Sequence, residues 1–196
     1  MQRKPAATSV AVHELIAQRW SPRAFDPDAK VSEEQLRALL EAARWAPSFG
    51  NTQPARFLVG RRGDAVFDRI LGTLTERNQD WASRVGVLLA GVAITRNEKG
   101  DVPYAEYGVA LAAQNLVLQA VAEGLAAHQM AGFDSDALHR AFELPDDVRP
   151  VVTIAVGVQT DADVLGAQRL VERERGERSR IPLAEFARAG WDTPAF

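Results

Sequence analysis

Residues 85–95 read Val-Gly-Val-Leu-Leu-Ala-Gly-Val-Ala-Ile-Thr, a run without a single charge. It is too short to cross a bilayer. It is rich in Val and Leu and shows no alternation of polar and apolar positions, which predicts a strand buried on both faces. Such a strand lies inside a sheet, so the rest of the chain must supply a covering layer on each side.

The flanking sequence contains candidate layers. Ser32-Glu33-Glu34-Gln35 has the form of a capping box and opens a helix with Leu36, Leu39, Leu40 and Ala43 at helical spacing. Pro47 stops it. Residues 13–19 and 64–76 also read as helices. The longest candidate covers residues 104–127, where Asn115, Gln119 and Glu123 mark one polar stripe. Its small residues Gly108, Ala112 and Ala113 permit close approach of another helix, and Gly124 marks its end. Shorter strands are expected over residues 56–60, 128–130 and 151–158. Asp134 or Ser135 caps a short helix through Phe142, and the chain from residue 166 onward is charged and then extended. Strands separated by helices give an α/β or α+β class with a central sheet flanked by helices. Neither a repeat nor a linker divides the chain, so one domain over residues 1–196 is expected, with an extended C-terminal arm.

Composition narrows the function. The net charge of −3 gives no bulk attraction for nucleic acid. Cysteine is absent, which removes disulfides, thiol catalysis and cysteine metal sites together. The N-terminal residues lack the apolar core of a secretory signal. The apolar stretch over residues 109–127 contains Gln114, Asn115, Gln119 and Glu123 and reads as a helix inside a protein. A cytoplasmic protein without nucleic-acid or membrane partners is expected. His13, His128 and His139 lack metal-ligand spacing. There is no G-x-G-x-x-G turn, Walker A loop or G-x-S-x-G elbow. Chemistry borne by the chain itself is therefore weakly supported, and a cofactor is the expected carrier of any reaction.

Arg19-Trp20-Ser21-Pro22-Arg23 places two guanidinium groups and a hydroxyl where the chain leaves a helix. Arginine offers a planar fork of donors that stays charged. Two readings are open on these residues alone: a site for a phosphate or electron-rich carbonyl, or arginines that are solvated or paired with Asp and Glu at the surface.

Five segments in order extend this reading. Arg19-Trp20-Ser21-Pro22-Arg23-Ala24-Phe25 resembles the N-terminal signature of the FMN-dependent nitroreductases. Ala46-Pro47-Ser48-Phe49-Gly50-Asn51-Thr52-Gln53-Pro54 resembles their Ala-Pro-Ser and Asn-x-Gln-Pro motif. Asn78 with Trp81 resembles their Asn-x-x-Trp segment. Ala113-Gln114-Asn115-Leu116 with Gly124-Leu125 is similar to their central helix. Arg178-Ser179-Arg180-Ile181-Pro182-Leu183 resembles their basic C-terminal motif.

The resemblance implies a nitroreductase-like fold with a mixed four- to five-stranded sheet. It also implies a domain-sharing homodimer with two FMN sites at the interface and a C-terminal arm over the partner. It assigns Arg19 and Arg180 to the FMN phosphate with Arg178 beside them, and Ser21 to the phosphate or ribityl chain. Arg23 and Asn78 are assigned to the pyrimidine edge of the ring. Met130, Ala131 and Gly132 pass the flavin face, where a backbone N–H reaches the ring nitrogen. A Glu that relatives often carry near this point is missing. Pro47, Ser48, Phe49 and Asn51 come from the other subunit. Phe49 replaces a residue that is commonly small and polar, and either walls the open flavin face or packs the interface. Trp20 either flanks the cofactor or packs in the core, while Trp45 and Trp191 are read as packing. The activity implied is ping-pong transfer from NADPH or NADH to a nitroaromatic or quinone. A small aldehyde or enone acceptor, or a flavin-binding protein without turnover, is the alternative.

Overall fold

The computed structural model describes residues 4–196; residues 1–3, part of the stretch read for a secretory signal, lie outside the described residues. Helix α1 (Glu14–Gln18) is followed by α2 (Glu33–Arg44), β1 (Ala55–Arg61), α3 (Ala65–Thr73), α4 (Glu76–Ala82) and β2 (Val87–Ile94). A small hairpin of β3 (Arg96–Asn97) and β4 (Gly100–Asp101) leads into α5 (Ala105–Ala122). Then come β5 (Ala126–Met130), α6 (Ser135–Ala141), β6 (Val148–Gly157) and α7 (Gln168–Arg175). The arm carries α8 (Leu183–Phe186) and a second hairpin, β7 (Arg188–Gly190) with β8 (Thr193–Pro194).

The apolar run at residues 85–95 forms β2, an inner strand of the sheet β1-β2-β6-β5. Its neighbouring residues belong to different cores. Leu88, Ala90 and Val92 join Phe67, Ile70 and Trp81 on one side. Val87 and Leu89 join Leu39, Ala113 and Leu116 on the other. Ala155 and Val156 of β6 divide in the same way. Each buried Val, Leu, Ile or Phe among them contributes about 1.5–3 kcal/mol, and a one-residue slip would exchange the two sets.

The sheet has four strands, within the expected number, but it is not mixed: every ladder is antiparallel. The mixed arrangement is what the family resemblance implies. Instead β6 inserts between β2 and β5, which run in the same direction, and both pair with it. The helix expected over residues 64–76 is two helices. Leu74 and Thr75 leave the helix to pair with the chain after β5, where Leu74 bridges Phe133 and Thr75 N–H donates to Gly132 O.

Local signals act as read in several places. Ser32 and Gln35 form the reciprocal capping box, and Asp134 rather than Ser135 caps α6. Gly124 takes φ +71° just after α5. The polar stripe of α5 faces α2, where Asn115 donates to Ala42 O and Gln35 donates to Glu123 O. The close approach at Gly108 comes from Pro54, not from a helix: a Cβ there would lie 2.8 Å from the proline ring.

His128 on β5 is buried against Trp81, with ring centroids 4.7 Å apart, and its Nδ1 lies 2.7 Å from Pro22 O. Burial pushes its pKa down to about 4, and the charges of Arg23 and Arg173 add to this against the Pro22 hydrogen bond.

Two outcomes test this packing. A Cβ on Gly60 would lie 2.4 Å from Phe67 N, so Gly60→Ala should lower unfolding free energy by about 1–3 kcal/mol. Gly72, on the open face of α3 with nothing nearby, should gain about 0.5–1 kcal/mol on conversion to Ala; urea unfolding measures both. His128 is neutral in the fold and takes up a proton near its ordinary pKa when unfolded. Stability should therefore fall as pH drops from about 6.5 to about 4, by on the order of 3 kcal/mol from this group. His128→Gln should flatten that portion of the pH–stability curve relative to wild type; an unchanged slope would count against this assignment.

Candidate functional site

The chain leaves α1 at Arg19 in extended geometry. Pro22 and Ala24 turn inward and are buried, while Arg19, Ser21 and Arg23 are half-buried, the alternation of an extended segment. The segment is fixed from several directions. Ala24 O accepts from Thr160 N–H, Asp26 N–H donates to Val158 O, and Phe25 bridges Gln159. The His128 contact with Pro22 O holds it from β5. The carboxylate of Glu174 accepts Arg23 N–H at 2.9 and 3.0 Å and Ala24 N–H at 3.1 Å.

Glu174 lies on α7, and the same chain continues to Arg178 and Arg180. Arg178 Nη1 donates to Lys4 O at 2.6 Å and Ala17 O at 2.9 Å, which brings the C-terminal motif against the helix that precedes Arg19. Lys4 Nζ donates to Glu174 O and lies 4.4 Å from the centroid of the Trp20 ring. Arg19 Nη1 donates to Ser21 Oγ at 3.4 Å. Burial, then the charges of Arg178 and Arg180, lowers the Arg19 pKa. Arg178 is lowered by burial and by Arg180. Arg23 is lowered by burial and by Arg173, partly offset by Glu174. Among the described residues, none of the ion pairs involves Arg19, Arg23, Arg178 or Arg180. Of the alternative reading, pairing with surface carboxylates does not hold for this group; the solvated state holds for Arg180, which is exposed, while Arg19, Arg23 and Arg178 are half-buried. Like charges gathered with reduced solvation fit an anion that can accept from several guanidinium forks.

A second part of the site centres on α4. The Arg23 guanidinium carbon lies 6.0 Å from the centroid of the Trp81 ring. One turn earlier, Asn78 Nδ2 donates to Gly132 O at 3.0 Å, so one amide hydrogen expected at a ring edge is committed to the protein. Gly132 follows Met130, the buried last residue of β5, and the exposed Ala131. A Cβ on Gly132 would lie 2.6 Å from Asn78 Nδ2 and 3.1 Å from Thr75 Oγ1; the absence of a side chain lets this strand end meet α4. Trp81 Nε1 is buried without a hydrogen-bond partner.

The loop with Pro47, Ser48, Phe49 and Asn51 follows α2. Ser48 Oγ accepts Gln53 N–H, and Gly50, Asn51 and Gln53 all have positive φ. Phe49 is 57% exposed, and its ring lies 5.6 Å from that of Tyr104, which is also exposed. Among the described residues no hydrogen bond, ion pair or ring contact joins this loop to the arginine group. The structure thus brings Arg19, Ser21, Arg23, Arg178 and Arg180 together with Trp20, and Asn78 together with Met130, Ala131 and Gly132. It leaves Pro47, Ser48, Phe49 and Asn51 apart within one chain. Trp45 and Trp191, read as packing, are 73% and 90% exposed and lie outside this chain's core.

Three residues that shape the site were not singled out by sequence reasoning: Glu174, Lys4 and Tyr104. A signal existed for Glu174, which stands four positions after Leu170 on the buried face of α7. Tyr104, with φ +57° at the start of α5, carries no comparable sequence mark. Among the described residues no group of His, Asp or Glu could hold a metal ion, and no helix is long and apolar enough to cross a membrane.

The chain matches known proteins over most of its length. The sequence profile of the nitroreductase family matches residues 16–82 and 64–158. A solved structure described as an oxidoreductase containing FMN superposes with a TM-score of 0.89 at 32% identity, covering 96% of each chain. A 15.4 kDa protein of Mycolicibacterium smegmatis is 33% identical over 148 residues, which span 71% of this chain and 99% of the relative. The major NAD(P)H-flavin oxidoreductase of Aliivibrio fischeri is 42% identical over 72 residues, 37% of this chain and 32% of that protein. On these matches and on its fold, the chain belongs to the nitroreductase family.

Proposed function

We propose that this protein is an FMN-dependent oxidoreductase that draws on NADH or NADPH and reduces electron-poor small molecules, nitroaromatics and quinones among them. The observation that carries the reading is the group of Arg19, Arg178 and Arg180. Burial, then the charges of Arg178 and Arg180, lowers the Arg19 pKa, burial and then Arg180 lower that of Arg178, and among the described residues none of the three forms an ion pair with a carboxylate. A phosphate monoester with about two negative charges fits such a donor set. The relatives described as containing FMN and as an NAD(P)H-flavin oxidoreductase support the same cofactors.

In this reading Arg19, Arg178 and Arg180 hold the FMN phosphate, and Ser21 serves the phosphate or ribityl chain. Arg23 and Asn78 take the pyrimidine edge, where a fixed positive charge favours the reduced, anionic ring. Met130, Ala131 and Gly132 supply backbone along the ring face. When bound, FMN supplies the redox chemistry. The chain positions reactants, excludes water and stabilises charge, and it needs no acid or base of its own. Reductant and acceptor use one site in turn, which is the ping-pong scheme.

The single 1–196 unit works as a homodimer. Pro47, Ser48, Phe49 and Asn51 lie apart from the arginines within one chain, which suits a second copy completing the site. Ile16, Phe49, Tyr107, Phe186, Trp191 and Phe196 are all more than half exposed, an apolar surface that a partner would cover. Phe49 with Tyr104 forms an aromatic wall suited to flat acceptors.

The purified protein should show a flavin absorption spectrum or acquire one on incubation with FMN. It should bleach on titration with NADH or NADPH and give parallel double-reciprocal lines with a nitroaromatic acceptor. No flavin binding, or bound flavin reduced by neither nicotinamide, would overturn the reading. Arg19→Gln and Arg180→Gln should each raise the FMN Kd about tenfold to a hundredfold, the loss of one charge-assisted contact of about 1.5–3 kcal/mol. Riboflavin affinity should change little, as fluorescence quenching can show.

A further inference from the structure

Glu174 is 1% exposed, and among the described residues its carboxylate forms no ion pair: its hydrogen bonds come from the backbone N–H groups of Arg23 and Ala24, while its charge favours the cations of Lys4 and Arg23 from farther away. Its own backbone carbonyl accepts from Lys4 Nζ at 2.8 Å. The Lys4 carbonyl in turn accepts from Arg178. One residue therefore ties the segment bearing Arg19, Ser21 and Arg23 to the segment bearing Arg178 and Arg180. The helix that carries it is anchored independently, because Arg175 pairs with Asp161 and Asp163 at the start of the preceding turn.

The electrostatics give this tie a purpose. Arg19 and Arg178 are partly desolvated, and each is disfavoured by the positive charge of the exposed Arg180. A carboxylate placed among them would neutralise the repulsion, but it would also occupy the donors that an anion needs. Glu174 avoids this. Its carboxylate is hydrogen-bonded to two peptide N–H groups, strong charge-assisted hydrogen bonds, and takes none of the guanidinium donors that remain beyond the bonds of Arg19 to Ser21, Arg178 to Lys4 O and Ala17 O, and Arg180 to Ser179 O. The restraint opposing the repulsion is thus applied through the backbone.

We propose that Glu174 is a positioning residue that sets the spacing between the two arginine segments and so makes the site selective for phosphorylated flavin over flavin without phosphate. This inference rests on the FMN reading above. It adds the residue that holds the phosphate subsite in shape and assigns it no contact with the cofactor.

The test compares FMN and riboflavin Kd values, by fluorescence quenching, for wild type, Glu174→Gln and Glu174→Ala. Thermal unfolding confirms that each variant is folded. In Glu174→Ala the FMN Kd should rise about tenfold and the riboflavin Kd less than twofold, so the wild-type preference for FMN collapses. Glu174→Gln, of equal size and with one acceptor oxygen, should fall between them, with an FMN Kd about threefold above wild type. It decides the matter alone if the alanine variant does not fold. Equal weakening of both flavins would show a merely structural role and overturn the proposal, as would an unchanged FMN preference in Glu174→Gln. Wild type that fails to bind FMN would overturn the FMN reading and this inference with it. Wild type that binds FMN and riboflavin equally would place the failure in the phosphate assignment itself.

Discussion

Everything else in this molecule depends on a strand that belongs to two cores at once. In β2 successive side chains enter opposite hydrophobic clusters, so its register is fixed by burial on both faces. The ladders to β1 and β6 inherit that register, and β6 passes it to β5. The site follows from the sheet. The end of β5 delivers Met130 and Gly132 to α4, His128 on the same strand holds Pro22, and the chain just beyond β6 pairs with Ala24 and Asp26. The arginine-bearing segment is thus docked on the side of a sheet whose alignment cannot drift.

That docking supports an arrangement that would be unfavourable alone. Half-buried guanidinium groups with no carboxylate partner lose solvation and repel one another. The offset is distributed over ordinary contacts: backbone pairing at residues 24–26, the buried Phe25 and Ala24, and the hydrogen bonds that Glu174 accepts from Ala24 N–H and from Lys4 Nζ. None of these uses an arginine charge. The division lets the site keep its electrostatic potential while the surrounding structure carries the cost.

The sequence made visible what depends on local chemistry. The double-sided strand, the Ser32–Gln35 capping box and the glycine after α5 are short-range signals, and each is found in place. Strand order was hidden because the insertion of β6 between β2 and β5 leaves no local trace. The break between α3 and α4 was hidden for a similar reason. Residues 74 and 75 are drawn out of the helix by pairing with Phe133 and Gly132, far along the chain. In the site, the five arginine and serine positions were legible through resemblance, and the structure brings them together. Glu174 was masked by the charged run around it. A charge in such a run reads as solvated, and only its spacing from Leu170 separates it from its exposed neighbours Arg173 and Arg175.

The same distribution of roles bears on how the site responds to its ligand. In the proposed reading, an anion that accepted from Arg19, Arg178 and Arg180 would offset their mutual repulsion and bridge segments from the two ends of the chain. Ligand binding would then be coupled to the docking of the C-terminal segment, since a ligand that favours the folded chain raises its stability by mass action. Beyond Arg178 the arm is exposed except for the half-buried Ala184 and Ala187, so in the isolated chain little of its own burial holds it. The points that fix its root are Glu174, Arg175 and Arg178. Two of the three anchor it through hydrogen bonds to backbone. An anion filling the arginine group would tighten that root, the base from which the apolar arm projects, and so link occupancy of the site to placement of the arm.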